Sequence, residues 1–456
     1  MSPAITLDPA VVQTFRESLR GQLLGPGEPG YDAARRIDNA MIDRRPALIA
    51  RCAGAADVVA AVRFGRERNL LVSVRAGGHN VAGNAVCDGG LMIDVSPMKG
   101  VRVDPGARTA RAAAGVTWGE FDHETQAFGL ATTGGVISTT GVAGLTLGGG
   151  VGWLNGRFGV AADNLLSADV VTAEGRMLRA SEQDNDDLFW ALRGGGGNFG
   201  VVTSFEYRVH AVGPTVLAGP VFHPLGRARD VLRFYRDFSA TEPDALTTYA
   251  GLLTGPDGTA LVGMVVCYAG PPEQGERLVA PVRKFGPPVV DQIGPMPYTA
   301  VQRMFDPAFP PGRYSYWKSS LAPELSDSVI DAVVDHMARV PSPHTAVMLE
   351  HYHGAYSRKR PADSAYAHRQ PTWDVVIIGN WAEAAHTDRN VQWVRDLFAA
   401  VQPKVSANVY VNFLDADDGA DRVRAAYGDN YDRLVGLKKK YDPTNFFRMN
   451  QNIRPD

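Results

Sequence analysis

Cysteine is scarce in this chain: Cys52, Cys87 and Cys267 are the whole complement in 456 residues. Three thiols so widely spaced build neither a disulfide framework nor a thiolate zinc site. Long apolar runs are missing as well. None reaches the roughly 18 residues that a membrane helix needs, and the first residues lack the basic stretch, apolar core and small-residue cleavage site of a secretory signal. Net charge is close to nil, with 46 Lys and Arg against 49 Asp and Glu, for −3. That balance offers no electrostatic handle on nucleic acid or on an anionic membrane. These absences lead to the expectation of a cytoplasmic protein.

Glycine is present in excess, 49 residues, many of them between Gly134 and Gly200. In a chain of ordinary apolar content, 45%, such clustering points to backbone pressed against something bulky. The length exceeds one compact core and predicts two or three domains, with interior enough to enclose a cofactor.

Periodicity predicts a helix over 11–23 followed by a Gly/Pro loop, a helix over 55–68 from Val58, Val59 and Val62, and strands over 71–75, 91–95 and 101–103. Thr117 to Glu120 has capping-box spacing and starts a helix to about 128. Residues 134–159 follow no periodic template. Segments 165–172 and 176–180 flank Glu174-Gly175 as hairpin strands. Asp184, Asp186 and Asp187 open a helix through Leu192, and a strand runs from Val201 to about His210. Beyond Pro214, strands such as 261–268 and 373–378 alternate with helices such as 326–339 and 391–401. The predicted organisation is an N-terminal helix and loop (1–44), a first domain (45–205), a second (206–413) and a C-terminal return to the first (414–456).

Three features carry chemistry. In Arg75-Ala76-Gly77-Gly78-His79-Asn80, two glycines let the backbone approach a flat ligand and present the imidazole, a competent nucleophile when neutral. A turn histidine bonded to backbone fits the same residues. Gly135 to Gly144, continuing through Gly148-Gly149-Gly150-Val151-Gly152, offers peptide N–H groups to pyrophosphate. The overlapping G-x-G-x-x-G registers at Gly148 do not make a dinucleotide-binding βαβ unit, because no clear strand leads in and no helix of that length follows. A flexible surface loop has the same composition. The third is Asp186 to Arg193, followed by four glycines, Asn198, Phe199 and Gly200. A helix C-cap explains Gly194 but not the other three.

In this order, and with Lys440-Tyr441-Asp442-Pro443-Thr444-Asn445-Phe446-Phe447 and Arg448-Met449-Asn450-Gln451-Asn452-Ile453 at the far end, the chain resembles the berberine bridge enzyme type of FAD-linked oxidase within the vanillyl-alcohol oxidase superfamily. The resemblance implies an α+β fold: a two-part PCMH-type FAD-binding domain formed by both chain ends, plus a substrate domain with an antiparallel sheet backed by helices. It implies a bond from His79 to the flavin 8α-methyl. Ile137 stands where many relatives carry a second, cysteinyl link, so a single link is expected. By the same resemblance Arg75, Ala76, Gly77, Gly78, Asn80, Gly83 and Asn84 line the FAD, as do Thr140, Gly141, Gly144, Leu145, Gly148, Gly149 and Gly150. Gly197, Gly200 and Val201 lie beside its pyrophosphate or adenosine half, and Asn412 and Asn450 complete the set.

Such enzymes pair hydride transfer to the flavin with proton removal by a tyrosine or carboxylate. Tyr410, in Tyr410-Val411-Asn412-Phe413, matches the family's Y-x-N-Y segment with Phe413 in place of the second tyrosine. Glu350 is the next candidate and Tyr249 the third. A tyrosine base needs its pKa of about 10 lowered by its neighbours. Thr140 occupies a position where relatives carry a small aliphatic residue bordering the oxygen site. Glu350, His351 and His353 alternate closely, but no metal is expected in this family. The implied activity is an oxidase that takes hydride from a small organic alcohol, amine or secondary metabolite and passes the electrons to oxygen, giving peroxide. A flavin-dependent oxygenase or cyclase that tailors a secondary metabolite, and a non-catalytic protein that sequesters a small molecule in resistance, are the alternatives.

Overall fold

Two parallel strands need a crossover between them, and the helix Ala55–Glu67 supplies it. Strands Leu48–Arg51 and Val72–Arg75 flank Leu91–Asp94, each parallel to it. The computed structural model describes residues 7–455. A second sheet of the same unit is antiparallel, in the order Val101–Asp104, Thr109–Ala113, Val201–Arg208, Leu165–Val171 and Met177–Ser181. The capping box is present: Thr117 Oγ1 accepts from Glu120 N, and the Glu120 carboxylate accepts from Thr117 N.

Three local expectations differ from the structure. The first helix is Pro9–Ser18, opened by the Asp8 side chain, and Gln22–Leu24 is instead a strand paired with Leu48–Arg51. The N–H groups of Arg20 and Gly21 both donate to the Asp57 carboxylate at 2.9 Å, which draws the chain out of the helix. The strand from Val201 ends at Arg208, and His210–Ala211 pairs with Leu130–Ala131. The aperiodic stretch holds two helices, Val142–Leu147 and Asn155–Phe158. Neither is long enough for a 3.6-residue period to show.

The second unit is an antiparallel sheet in the order Val290–Asp291, Thr215–Pro224, Ala260–Tyr268, Leu246–Thr254, Ala346–Tyr352, Thr372–Trp381 and Tyr314–Ala322, with Gly294–Pro297 also paired to Thr215–Pro224. Helices Ala228–Ser239, Pro272–Lys284, Asp327–Met337 and Thr387–Val401 cover one face, packing on Val347, Leu349, Val375 and Ile377. Tyr249, Met348, Val376 and Ile378 point to the other face, toward the glycine-rich segments. Thr372–Trp381 is thus buried at every position. A strand covered on both faces reads as a nearly continuous apolar run.

The chain then returns to the first unit. In the helix Tyr431–Tyr441, buried Lys438 donates to Asn198 O at 2.8 Å, Phe447 O at 2.9 Å and Asp442 at 2.6 Å. Asp442 accepts in turn from the N–H groups of Phe446 and Phe447. Ile453 N donates to Asn198 Oδ1 at 3.0 Å.

Asp122 sits at the junction of the two units. Gln302 donates to it at 2.8 Å and to Gly135 O at 3.2 Å. Asp122 is buried, and burial pushes its carboxyl up to about 7. A carboxyl raised on folding stabilises fully below its unfolded pKa, and that contribution is lost as pH rises through about 7. Between pH 5 and 8 this group should remove about 3 kcal/mol of stability. The melting temperature should fall over that window, and Asp122→Asn should remove part of the fall. An unaltered slope in the variant would refute the assignment.

Candidate active site

Between the glycine-rich segments and the open face of the second sheet lies a cavity of about 850 Å³, at the upper end for a small-molecule or cofactor site. Its tightest construction is at Gly77 and Gly141. A Cβ on Gly77 would fall 2.4 Å from Gly141 N, and one on Gly141 would fall 2.6 Å from Gly77 N. Two turns therefore meet backbone to backbone, and neither position has room for a side chain. Gly78 follows with φ +75°, a conformation that costs glycine nothing. This bend delivers the His79 ring between two hydroxyls, with Thr139 Oγ1 3.0 Å from Nε2 and Thr140 Oγ1 3.5 Å from Nδ1. Desolvation lowers the imidazole pKa against the opposing pull of Asp38 and Asp306. The lowering favours the neutral ring, which keeps the lone pair that a nucleophile requires.

On the opposite wall, Glu350 stands in register with Tyr249 on one neighbouring strand and with Asp374 on the other. Its carboxylate accepts from Tyr352 Oη at 2.7 Å, and burial pushes it up to about 7. Tyr410 is also buried at the cavity, where its oxygen accepts from Gly150 N at 2.9 Å and from Asn412 Nδ2 at 2.7 Å. Burial nevertheless raises its pKa above the usual phenol value. Tyr249 stacks on Trp153 at 4.9 Å, has no protein partner for its hydroxyl, and is raised further by burial and by Glu350. Of the three candidates, only Glu350 has a basic form within reach near neutral pH.

Strand alternation splits the trio of Glu350, His351 and His353. The two imidazoles face away from the cavity, with Nδ1 atoms 3.0 and 3.3 Å from one oxygen of buried Glu242. Their rings stack at 5.1 Å, only 5° from parallel. Glu242, His351 and His353 thus bring one ligand atom each within 4.8 Å of one another, on the side of the sheet away from the cavity and without Glu350.

Residues 46–181 match the FAD binding domain family and residues 409–454 the berberine and berberine-like family. Over 448 residues the chain is 31% identical to an FAD-linked oxidoreductase of Dictyostelium discoideum, covering 98% of this chain and 97% of that protein. It is a berberine bridge enzyme-like FAD-linked oxidoreductase. The oxidoreductase is also 31% identical over 450 residues to the (R)-6-hydroxynicotine oxidase of Paenarthrobacter nicotinovorans, covering 96% and 98% of the two chains. The crystal structure of 6-hydroxy-D-nicotine oxidase from Arthrobacter nicotinovorans superimposes with a TM-score of 0.90 at 29% identity, covering 99% and 100%.

The family's cofactor is FAD, and the residues around this cavity fit it. Gly144 and Gly197 both line the cavity, and a Cβ on either would meet no atom within 4 Å. That open cradle follows the backbone. Asn450 donates to Gly197 O at 3.2 Å and leaves Oδ1 without a protein partner. Ala76, Asn80 and Asn84 from the first motif line the cavity, as do Thr140, Leu145, Gly200, Val201 and Asn412.

Five residues assigned to the cofactor by resemblance do not line it. Arg75 turns away to donate to Ala34 O at 2.9 Å, 3.7 Å from Asp94. Gly83 abuts Ile42, and Gly148, Gly149 and Gly150 abut Asn412, Tyr366 and Ala161. These glycines let protein pack on protein. The three cysteines are buried outside the cavity lining, whereas Ile137 is part of it.

Sequence reasoning missed the apolar wall of Trp317, Met348, Val376 and Ile378, and the half-buried Arg313 and His344 that also line the cavity. Only sheet register brings these residues together. It also missed Asp374, although one acid inside Trp373 to Ile378 was a signal. No helix among the described residues is long and apolar enough to cross a membrane.

Proposed function

We propose that this oxidoreductase carries FAD on His79 through a single covalent link and oxidises a small, largely apolar alcohol or amine, with Glu350 as the base and oxygen as the electron acceptor, giving peroxide. The observation that carries the reading is one cavity with the His79 imidazole on its first wall and the buried Glu350 carboxyl on its second. Bound FAD supplies the two-electron acceptor. Glu350 takes the O–H or N–H proton of the substrate, and Tyr352 fixes the carboxylate by donating to it. Met348, Val376 and Ile378 hold the substrate skeleton and exclude water. Thr140 stands beside His79, where its hydroxyl supports the ring.

A panel of alcohols and amines, screened for anaerobic bleaching of the flavin and for peroxide on admitting air, tests the activity. Bleaching without peroxide would overturn the assignment of oxygen as acceptor. The link is tested separately. Acid-precipitated wild-type protein should stay yellow, and His79→Ala should release all its flavin to the supernatant while oxidising substrate more slowly. Free flavin from the wild type would refute the covalent link.

A further inference from the structure

Glu350 has a second carboxylate beside it. Asp374 is its cross-strand partner on the same face of the sheet, and no part of Asp374 is exposed. Tyr352 lies two residues beyond Glu350, with Oη 2.7 Å from Glu350 Oε2 and 3.5 Å from Asp374 Oδ2. A phenol has one proton to give, and the shorter contact shows that Glu350 receives it. What Tyr352 then turns toward Asp374 is an oxygen lone pair, which a carboxylate repels and a carboxylic acid O–H satisfies. Asp374 Oδ1 makes no hydrogen bond of good geometry, and the nearby Ser319 hydroxyl only partly offsets the effect of burial on this carboxyl.

The surroundings do not neutralise a second negative charge. Tyr249 on one adjoining strand, Tyr410 at the cavity with Tyr366 packed against it, and Tyr235 behind the sheet are buried phenols with raised pKa values. Glu242 adds an acid whose pKa burial raises. The nearby cation is Arg422, whose guanidinium is committed to Ser319 O at 2.7 Å and to Asp418 at 3.2 Å. Two carboxylates so placed do not ionise together near neutral pH, and they titrate as a pair.

We infer that Glu350 and Asp374 form one unit joined by Tyr352, holding a single proton that stays on Asp374 and leaves the negative charge on Glu350. Asp374 is then a positioning residue. As an acid it donates to Tyr352, Tyr352 donates to Glu350, and the ionised carboxylate is directed at the cavity. The role of the pair in turnover rests on Glu350 being the base, but its shared proton does not, and the test separates the two.

The experiment uses the flavin-loaded protein and needs no substrate. Infrared spectra recorded at a pH between the two titration steps of the pair should show the C=O stretch of a protonated buried carboxyl that disappears in Asp374→Asn and persists in Glu350→Gln. The flavin absorption should titrate in two steps in the wild type, and in one step in each variant. Asp374→Asn, which keeps a donor toward Tyr352, should lose the upper step and retain the lower. Circular dichroism and flavin content establish that both variants fold. A carboxyl band that disappears in Glu350→Gln but persists in Asp374→Asn would overturn the inference, as would two titration steps surviving in Asp374→Asn. Failure of every alcohol and amine to bleach the flavin would refute the proposed activity and leave the shared proton standing.

Discussion

Glu350→Gln should slow flavin reduction about 10²- to 10⁴-fold, the scale of losing a positioned general base. Glutamine keeps the volume and still accepts from Tyr352, but it takes no proton from the substrate. Substrate affinity should change little, and anaerobic stopped-flow measurement of rate against substrate concentration separates the two. In the wild type the reduction rate should rise with pH through about 7, because the basic form of Glu350 accumulates above its raised pKa. The variant should lack that rise. Tyr410→Phe provides the contrast: its oxygen serves as an acceptor for Gly150 and Asn412, so the loss should be smaller and should come with weaker flavin retention. A wild-type reduction rate in Glu350→Gln would remove the carboxylate from the mechanism.

Lys438→Met should cost about 3–5 kcal/mol, the usual result of leaving one partner of a buried ion pair unpaired. Both side chains are fully buried and 2.6 Å apart. The ammonium also satisfies the carbonyls of Asn198 and Phe447, so its loss leaves those acceptors without a donor. Thermal unfolding should show a large fall, and flavin should be lost early in the transition because Gly197, beside Asn198, lines the cavity. Adding Asp442→Asn to Lys438→Met should recover part of the loss. A melting temperature within a degree or two of wild type would show that the pair carries no such weight.

Elements that declare themselves in sequence are those whose determinants are local. The box of Thr117 and Glu120, the hairpin turn at Glu174-Gly175 and the apolar run of Thr372–Trp381 each need only their own residues. The bend that presents His79 is legible for the same reason, because Gly77 and Gly78 stand next to it. Gly148, Gly149 and Gly150 show the limit. A glycine that admits a ligand and a glycine that admits a tyrosine ring have the same local appearance, and only the fold reveals that Gly149 faces Tyr366. The choice between Tyr410 and Glu350 is of the same kind. It rests on what each oxygen is bonded to and how deeply it is buried, and those partners come from segments as far as 260 residues away.

The clasp at Lys438 also dictates an order of assembly. Its contact with Asn198 spans 240 residues, and that of Ile453 with Asn198 spans 255. Closing so long a loop comes late in folding, after the local hairpins and helices have formed. During synthesis the glycine-rich segments therefore leave the ribosome well before their fastening exists. FAD that meets such a nascent chain finds Gly197 and Asn198 without their anchor. Cofactor loading is thus coupled to production of the last structural segment, and a chain interrupted before Lys438 should be recovered colourless.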